Sequence, residues 1–132
     1  MQKDVLNSDS IPDLEKLLLK AMTRGVEIKI LSRELNLRSR EISWLLDLGT
    51  EIKNRKLTIV DYHQTEKNMI YSSTHAKIIC ADYDSAYVGS AELRRNSIVA
   101  NFEIGCYLRG PQVYGICEAF DLMFRKGKEW KL

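Results

Sequence analysis

Two hydrophobic spacings alternate along this chain, and together they restrict it to a layered α/β fold. From Leu14 to Met22, apolar residues recur three and four positions apart, which predicts an amphipathic helix. Ser10 and Pro12 suit the start of that helix, and Gly25 suits its end. Val26–Ile30 then alternates apolar and charged residues, as a half-buried strand does. A helix joined to a strand through a single glycine is typical of layered α/β domains.

Further helix and strand patterns follow in the same manner. A second helix is predicted from about Ser39 to Leu48, and a polar loop is predicted over His63–Asn68. Asp82–Ser85 predicts the turn of a hairpin. Arg109–Pro111 precedes a last helix, whose apolar face would carry Val113, Ile116, Cys117, Phe120 and Phe124. Strands are predicted over Lys56–Tyr62, Met69–Tyr71, His75–Ala81, Ala86–Ser90 and Phe102–Leu108.

The length and charge of the chain restrict its class. Its 132 residues suffice for one hydrophobic core, so we expect a flexible N-terminal segment at residues 1–9 and a single domain at residues 10–132. The 20 Lys and Arg residues against 18 Asp and Glu residues give a net charge of +2, so bulk charge does not indicate a nucleic-acid-binding protein. The N-terminus lacks the apolar core of a signal peptide, and no stretch is long enough to span a bilayer, which predicts a cytoplasmic protein.

The chain has three cysteines, Cys80, Cys106 and Cys117, each in an apolar sequence context. Their odd number and the lack of Cys-x-x-Cys spacing argue against a disulfide framework and against a zinc site. We therefore expect three buried free thiols, no metal site and no cofactor.

The predicted strand His75–Ala81 carries the residues with the clearest chemical meaning. His75 and Lys77 stand two apart, and side chains at i and i+2 of a strand share a face. Gly89-Ser90 brings a small hydroxyl residue from the next strand. An imidazole can attack phosphorus while an ammonium offsets charge on the oxygens, so this set predicts a phosphoryl pocket. Taken singly, the same residues have structural explanations as a surface histidine, a solvated lysine and a turn.

The spacing of these residues resembles the signature of the phospholipase D superfamily. The matching elements are His75-x-Lys77-x4-Asp82-x6-Gly89-Ser90 and, downstream, Asn101-Phe102-Glu103. The resemblance runs from about Ser10 to Lys126, and it implies the α/β fold of that superfamily, a mixed sheet in an α-β-α layered arrangement.

The resemblance also exposes a gap at the N-terminal side. A phospholipase D-like unit usually opens with an additional strand, helix and strand, and such an opening takes on the order of 30 residues. Residues 1–9 are too few to supply it. We therefore expect a fragment of a longer protein, a truncated gene product, or a unit that borrows strands from a partner.

The resemblance implies a role for each catalytic position. His75 would attack phosphorus to give a phosphohistidine intermediate, and Lys77 would bind the phosphate oxygens. Ser90 would donate a hydrogen bond near the site, and Glu103 would orient the His75 ring through its other nitrogen. Alternation along Phe102–Ile104 supports that role, because Glu103 then points away from two apolar neighbours.

Three further positions are expected to support the structure of the site or to contact substrate. Asp82 is expected to fix the hairpin, and Asn101 to hold the strand end or contact substrate. Glu92 departs from the family pattern, which usually has Asn two residues after the serine. A carboxylate there repels phosphate oxygens unless it is protonated or paired, for which Arg94 and Arg95 stand near in sequence. The departure predicts weakened or redirected activity.

The family mechanism needs two imidazoles, because one ring cannot be a neutral nucleophile and a charged acid in the same step. This chain has one copy of the motif, at His75. The resemblance therefore implies a homodimer, or the second half of a longer two-motif protein, that supplies the other imidazole. His63 is expected to be a solvated loop residue.

The expected activity is metal-independent phosphodiester hydrolysis, with nucleic acid as the first choice of substrate and a phospholipid as the other. The alternative is a catalytically weakened module for ligand binding or scaffolding, which Glu92 favours and the intact His75 and Lys77 disfavour. Basic residues that would contact a nucleic-acid backbone flank the motif on both sides. They are Arg33, Arg38, Arg40, Lys53, Arg55, Lys56, Arg94, Arg95 and Arg109.

Overall fold

The structure is a computed structural model that describes residues 14–38, 47, 57–91 and 100–130. Helices and strands are mixed along the chain, which confirms the predicted α/β class. In chain order, the elements are α1 (Leu14–Thr23), β1 (Ile28–Ser32), a short 3-10 helix (Leu35–Arg38), β2 (Leu57–Asp61), β3 (His63–Glu66), β4 (Met69–Ser73), β5 (Ile78–Ala81), β6 (Ser85–Gly89), β7 (Gly105–Arg109), α2 (Gln112–Lys126) and β8 (Lys128–Glu129).

The first sheet has the strand order β1-β2-β8. β1 and β2 run parallel, in register from Ile28↔Leu57 to Ser32↔Asp61, and β8 lies antiparallel to β2. β2 is the buried strand of this sheet, since its residues from Ile59 to Asp61 are all buried. The parallel pairing brings the carboxyl ends of β1 and β2 to one edge, where α/β proteins commonly place ligand-binding side chains.

α1 ends at Gly25, as the sequence predicts. Gly25 has a φ of +89°, in the region that favours glycine, and its N–H donates to the Met22 carbonyl over 2.9 Å. The Val26 N–H donates back to the Ala21 carbonyl over 3.0 Å. Because Val26 completes the end of the helix, the strand begins at Ile28, two residues later than predicted.

The second sheet has the order β5-β6-β7, all antiparallel, and α2 packs on one face of it. The core between them contains Ala86, Val113 and Cys117, which are at most 4% exposed. Cys80 and Leu108 are half-buried and pack against these residues. Three residues of the apolar face predicted for α2, Val113, Ile116 and Cys117, therefore pack in this core.

The three cysteines are free, but they differ in burial. Burial, with a hydrogen bond to Cys117 as a further cause, raises the pKa of the Cys80 thiol to about 12. Cys117 is buried, whereas Cys106 is exposed and lines a groove between the sheet and α2. The prediction of three buried thiols was wrong for Cys106, because an apolar sequence context does not show how far α2 covers β7.

β3 and β4 form a hairpin of their own, separate from both three-stranded sheets. The turn residues Lys67 and Asn68 have φ values of 50° and 64°, as a tight two-residue hairpin turn requires. His63 lies opposite Ser73 at the base of the hairpin. The predicted loop over His63–Asn68 was wrong, because polar side chains do not prevent the backbone from pairing with β4.

Several boundaries also differ from the sequence predictions. β5 begins at Ile78 and β7 at Gly105, so His75, Lys77 and Glu103 lie in the segments that precede these strands. β8 and the 3-10 helix were not predicted, since two to four residues carry too little periodicity. The predicted helix Ser39–Leu48, apart from Asp47, lies outside the described residues, as do Ser10 and Pro12. Among the helices of the described part, none combines the length and the apolar character needed to cross a membrane.

Candidate active site

His75 and Lys77 face each other directly before β5. Lys77 Nζ lies 3.0 Å from Nδ1 of His75 and donates to the His75 carbonyl over 2.8 Å. The Gly89 N–H donates to the Lys77 carbonyl over 3.2 Å, which continues the pairing of β5 and β6 beyond Ile78. The two side chains thus lie on one side of the chain, as their spacing predicts, although the regular strand starts only after them.

Lys77 lies against both nitrogens of the His75 ring. Its Nζ is 3.0 Å from Nδ1 and 3.5 Å from Nε2, so the contact does not select one ring nitrogen. Attack through Nε2 needs a neutral ring with Nδ1 protonated and donating to an acceptor such as a carboxylate. The ammonium cannot be that acceptor, because it has donors only. An incoming phosphate gives the ammonium a stronger partner.

Ser90 ties the end of β6 to the segment before β7. Its hydroxyl donates to Oε2 of Glu103 over 2.6 Å and accepts from the Ile104 N–H over 3.1 Å. The Ser90 N–H donates to the Ile104 carbonyl over 3.0 Å. Asn101 Nδ2 donates to the other Glu103 oxygen, Oε1, over 3.4 Å. The structure therefore brings together three predicted site residues from two separate motifs.

Glu103 and its neighbours alternate in direction. Glu103 is half-buried, whereas Phe102 and Ile104 are 93% and 72% exposed. The carboxylate thus turns inward, to Ser90 and Asn101, and the two apolar side chains turn outward. This orientation leaves large hydrophobic groups at the surface beside a predicted catalytic residue.

An open groove of about 400 Å³ lies between the segment before β5 and the end of β6. It is lined by His75, Lys77 and Ser90, which are three of the four predicted catalytic residues. The remaining lining residues are Ala76, Ile78, Val88 and Gly89. A volume of this size falls within the range of small-molecule sites.

The residue before Ser90 must be glycine, because no side chain fits at position 89. A Cβ added at Gly89 would overlap the hydroxyl end of the Tyr87 ring and would lie 2.8 Å from the Gly105 Cα. Gly105, which pairs with Gly89 across β6 and β7, is crowded by the same ring. The Tyr87 side chain therefore lies over two glycines, and the glycine of the Gly-Ser motif lets the strand end pack closely enough to position Ser90.

Asp82 lies at the opposite end of β5 from His75. Asp82 and Tyr83 have φ values of 53° and 56°, and the Asp84 N–H donates to the Ala81 carbonyl over 3.0 Å. These residues form the tight turn between β5 and β6, which is the place expected for Asp82. Arg109 forms an ion pair with Asp84 over 3.1 Å at this same end. Any contact of Arg109 with a nucleic-acid backbone, as predicted, would therefore lie far from the groove.

The departure from the family pattern, Glu92, lies outside the described residues. The same holds for the six flanking basic residues Arg40, Lys53, Arg55, Lys56, Arg94 and Arg95.

The structure shows one ordered pair that the sequence interpretation missed. Asp61, at 9% exposure, accepts from the backbone N–H groups of Glu34 and Leu35 over 3.0 and 2.9 Å. Its Oδ1 also lies 3.0 Å from Nδ1 of His63. Since the carboxylate can only accept when ionised, Nδ1 is the donor and Nε2 is directed away from Asp61. His63 is exposed, as predicted, but the prediction that it lies in a loop was wrong, because it begins β3 and pairs with Asp61. The spacing Asp61-x-His63 at the end of an apolar run was the available signal of this pair.

Comparison with known proteins shows the family of this chain. The profile of the family described as "Cardiolipin synthase, PLD-like domain" matches residues 7–124, a range that includes all the predicted site residues. The chain belongs to this phospholipase D-like family. The match confirms the resemblance that was drawn from the motif spacing. Proteins of the phospholipase D superfamily are phosphodiesterases, so the chain is a member of a phosphodiesterase family.

Two solved structures share the phospholipase D-like fold. Nuc from Salmonella typhimurium, described as a phospholipase D family member, has a TM-score of 0.64 and 21% identity, over 92% of this chain and 75% of Nuc. NucT from Helicobacter pylori has a TM-score of 0.65 and 16% identity, over 89% of this chain and 74% of NucT. At these identities, the likeness shows the fold alone.

One sequence relative is more similar over a shorter stretch. The DISARM protein DrmC of Bacillus paralicheniformis is 49% identical to this phospholipase D-like chain over 43 residues. The matched stretch is 33% of this chain and 18% of DrmC, so it spans only a minor part of that relative.

Proposed function

We propose that this chain hydrolyses phosphodiesters through a phosphohistidine at His75, with nucleic acid as the substrate. The observation that carries the proposal is the groove in which His75, Lys77 and Ser90 meet. The groove is open, and His75 is exposed, so a long polymer could reach the nucleophile without a deep pocket. A cation and a hydroxyl donor beside the imidazole suit the charge that develops on phosphate oxygens.

The proposed reaction has two balanced steps. First, Nε2 of His75 attacks phosphorus, a P–N bond forms, and the bond to the leaving oxygen breaks as a second imidazolium protonates that oxygen. Second, water attacks the phosphohistidine, its proton goes to the second imidazole, and the P–N bond breaks. Both rings then stand in their starting protonation states.

Lys77 and Glu103 control the nucleophile in this proposal. When phosphate enters, the Lys77 ammonium turns from Nδ1 of His75 to the phosphate oxygens. Nδ1 then carries the proton and donates it in a hydrogen bond to Glu103, whose carboxylate is held by Ser90. Support for this exchange comes from the Lys77–His75 contact, in which the ammonium lies within 3.5 Å of both ring nitrogens.

We further propose that a second copy of the chain supplies the second imidazole, unless the chain is part of a longer protein with two motifs. Phe102, Ile104 and Tyr107 are 93%, 72% and 69% exposed, and they lie next to Glu103 or on the neighbouring strand β7. Exposed apolar side chains beside an incomplete site favour burial against another protein surface. A two-fold axis there would place the two His75 rings across one shared cleft.

The test combines turnover with trapping of the intermediate. Bis(p-nitrophenyl) phosphate and a single-stranded DNA 12-mer are incubated with the protein in EDTA. Acid- or base-quenched samples are then analysed by mass spectrometry for a p-nitrophenylphosphoryl or nucleotidyl group on the His75 peptide. We expect turnover in chelator and a base-stable, acid-labile adduct on His75. Loss of activity in EDTA with recovery on adding magnesium would contradict the proposed chemistry.

Two further measurements distinguish the substrate of the protein and test whether it is an enzyme or a binding module. Phosphatidylcholine vesicles, offered in parallel, test the phospholipid alternative, and faster turnover of lipid than of DNA would overturn the nucleic-acid assignment. Binding of the diester without any turnover would instead favour the ligand-binding module.

A further inference from the structure

A second polar cluster lies at the base of the β3–β4 hairpin, and it consists of Arg33, His63 and Ser73. Arg33 Nη1 donates to Ser73 Oγ over 3.1 Å, and Ser73 lies directly opposite His63 in the hairpin. Residues directly opposite each other in an antiparallel pair project from the same face. The Arg33 and His63 side chains are 43% and 32% exposed, so both are accessible to a ligand.

The cluster is held in place by a buried carboxylate. Asp61 accepts from two backbone N–H groups of the segment after β1 and from Nδ1 of His63. Because Nδ1 of His63 is paired with Asp61, Nε2 is the ring nitrogen left to a ligand, and in the imidazolium form it is a charged donor. Arg33 directly follows β1 and precedes Glu34 and Leu35, whose N–H groups donate to Asp61. The backbone beside Arg33 and the ring of His63 are therefore held by the same buried carboxylate.

The cluster lies close to the proposed nucleophile along the chain. Ser73 precedes His75 by two residues, which is at most about 7 Å of extended backbone. Successive phosphates of one nucleic-acid strand advance by only about 3.4 Å along a helix axis. A group bound by Arg33, His63 and Ser73 is therefore within one or a few nucleotides of a phosphate at His75.

We propose that Arg33, His63 and Ser73 form a second phosphate-binding position, which holds a phosphate of the same strand next to the scissile one. This inference rests on the proposed function and narrows its substrate to a polynucleotide, since a small diester or a single phospholipid has no second phosphodiester to place there. Arg33 would supply N–H donors beyond the one given to Ser73, and Ser73 would donate its own hydroxyl proton.

Two acidic groups face this position, and neither removes its capacity to bind an anion. Glu34 forms an exposed ion pair with Arg33 over 3.9 Å at Nε, and this contact does not occupy the donors at the end of the guanidinium. Asp61 is buried, and three donors already satisfy its oxygens. The charges available to an incoming phosphate are therefore the guanidinium and the outer edge of His63.

The experiment uses Arg33→Gln and His63→Gln, with Arg24→Gln as the matched control on the exposed end of α1. Glutamine at position 63 keeps an N–H that can donate to Asp61, and thermal unfolding checks that each variant is folded. KM is measured for a single-stranded DNA 12-mer and for bis(p-nitrophenyl) phosphate. Independently of turnover, binding of the labelled 12-mer is followed by anisotropy as a function of salt.

We expect each cluster variant to raise KM for the 12-mer at least five-fold more than KM for the small diester. When the logarithm of the binding constant for the 12-mer is plotted against the logarithm of salt concentration, the slope should fall in magnitude by about 0.7. This change corresponds to one lost phosphate contact on a single strand. Arg24→Gln should show neither effect. Equal changes in KM for the two substrates, or an unchanged salt slope in both cluster variants, would overturn the inference. If neither substrate is turned over but the cluster variants, unlike Arg24→Gln, reduce the salt slope of DNA binding as expected, the proposed catalysis fails and the second position stands.

Discussion

Lys77 Nζ lies 3.0 Å from Nδ1 of His75, so the cation expected to bind phosphate contacts the ring expected to attack it. Nζ also lies 3.5 Å from Nε2, so the ammonium lies against the ring, and a phosphate would attract it away. Such an exchange would couple activation of the nucleophile to the arrival of its substrate.

The first prediction concerns these two residues. His75→Asn and Lys77→Met should each lower kcat for the small diester by at least about 10³-fold, because one removes the nucleophile and the other its charge partner. Lys20→Met, on the exposed face of α1, should leave kcat unchanged. Circular dichroism should show the same fold for all three. A Lys77→Met variant with normal kcat would mean that Lys77 does not bind the phosphate.

A second prediction tests the shared site. When the parent protein is mixed one to one with His75→Asn and the subunits exchange freely, only about a quarter of the dimers keep both histidines. Compared with the parent alone at the same total protein concentration, activity should therefore fall to about a quarter, whereas simple dilution of independent subunits would leave half. Activity at half, or turnover by a chain that is monomeric in analytical ultracentrifugation at assay concentration, would contradict a site shared between two copies.

The third prediction follows from the family departure at Glu92. If this carboxylate repels the bound phosphodiester, Glu92→Asn should tighten phosphate binding or raise activity by an amount equivalent to about 1 kcal/mol or more. Inhibition of diester hydrolysis by inorganic phosphate measures the change. A variant with the same or weaker inhibition would show that Glu92 does not face the phosphate.

Packing beside Ser90 gives a fourth prediction. Gly89→Ala should destabilise the fold by about 1–3 kcal/mol, because the new methyl group would overlap the Tyr87 ring and approach the Gly105 backbone. Gly115→Ala is the matched control. It lies within α2 with nothing within 4 Å of an added Cβ, so it should stabilise the helix by about 0.5–1 kcal/mol. Urea denaturation compares the two, and equal stabilities would contradict the close packing of Tyr87.

The fifth prediction concerns the thiols. Since burial raises the pKa of Cys80 to about 12, its thiol should stay protonated at pH 8 and react slowly with iodoacetamide, whereas the exposed Cys106 should react first. Because the pKa of Cys80 is higher in the folded protein, folding favours the protonated thiol. The contribution of this thiol to the free energy of unfolding is therefore complete below about pH 9 and is lost as the pH rises toward 12. Peptide mapping after alkylation checks the order. Faster labelling of Cys80 would contradict its burial.

Sequence alone was sufficient for the elements whose signal is local. The helical periodicity before Gly25 and after Pro111 predicted α1 and α2, because the face of a helix that is apolar is also the face that becomes buried. The spacing of His75, Lys77, Ser90 and Glu103 likewise indicated the family, since a chemical motif depends on residue type and order.

Only the tertiary structure decided which groups meet. Glu103 turns inward to Ser90 because β6 and β7 pair and bring two motifs together. His63 is ordered because the parallel pairing of β1 with β2 buries Asp61 beneath the segment that follows β1. A short polar stretch such as His63–Glu66 has no local preference strong enough to show this. Its structure depends on a carboxylate that is buried and needs donors, and burial is a property of the packed fold.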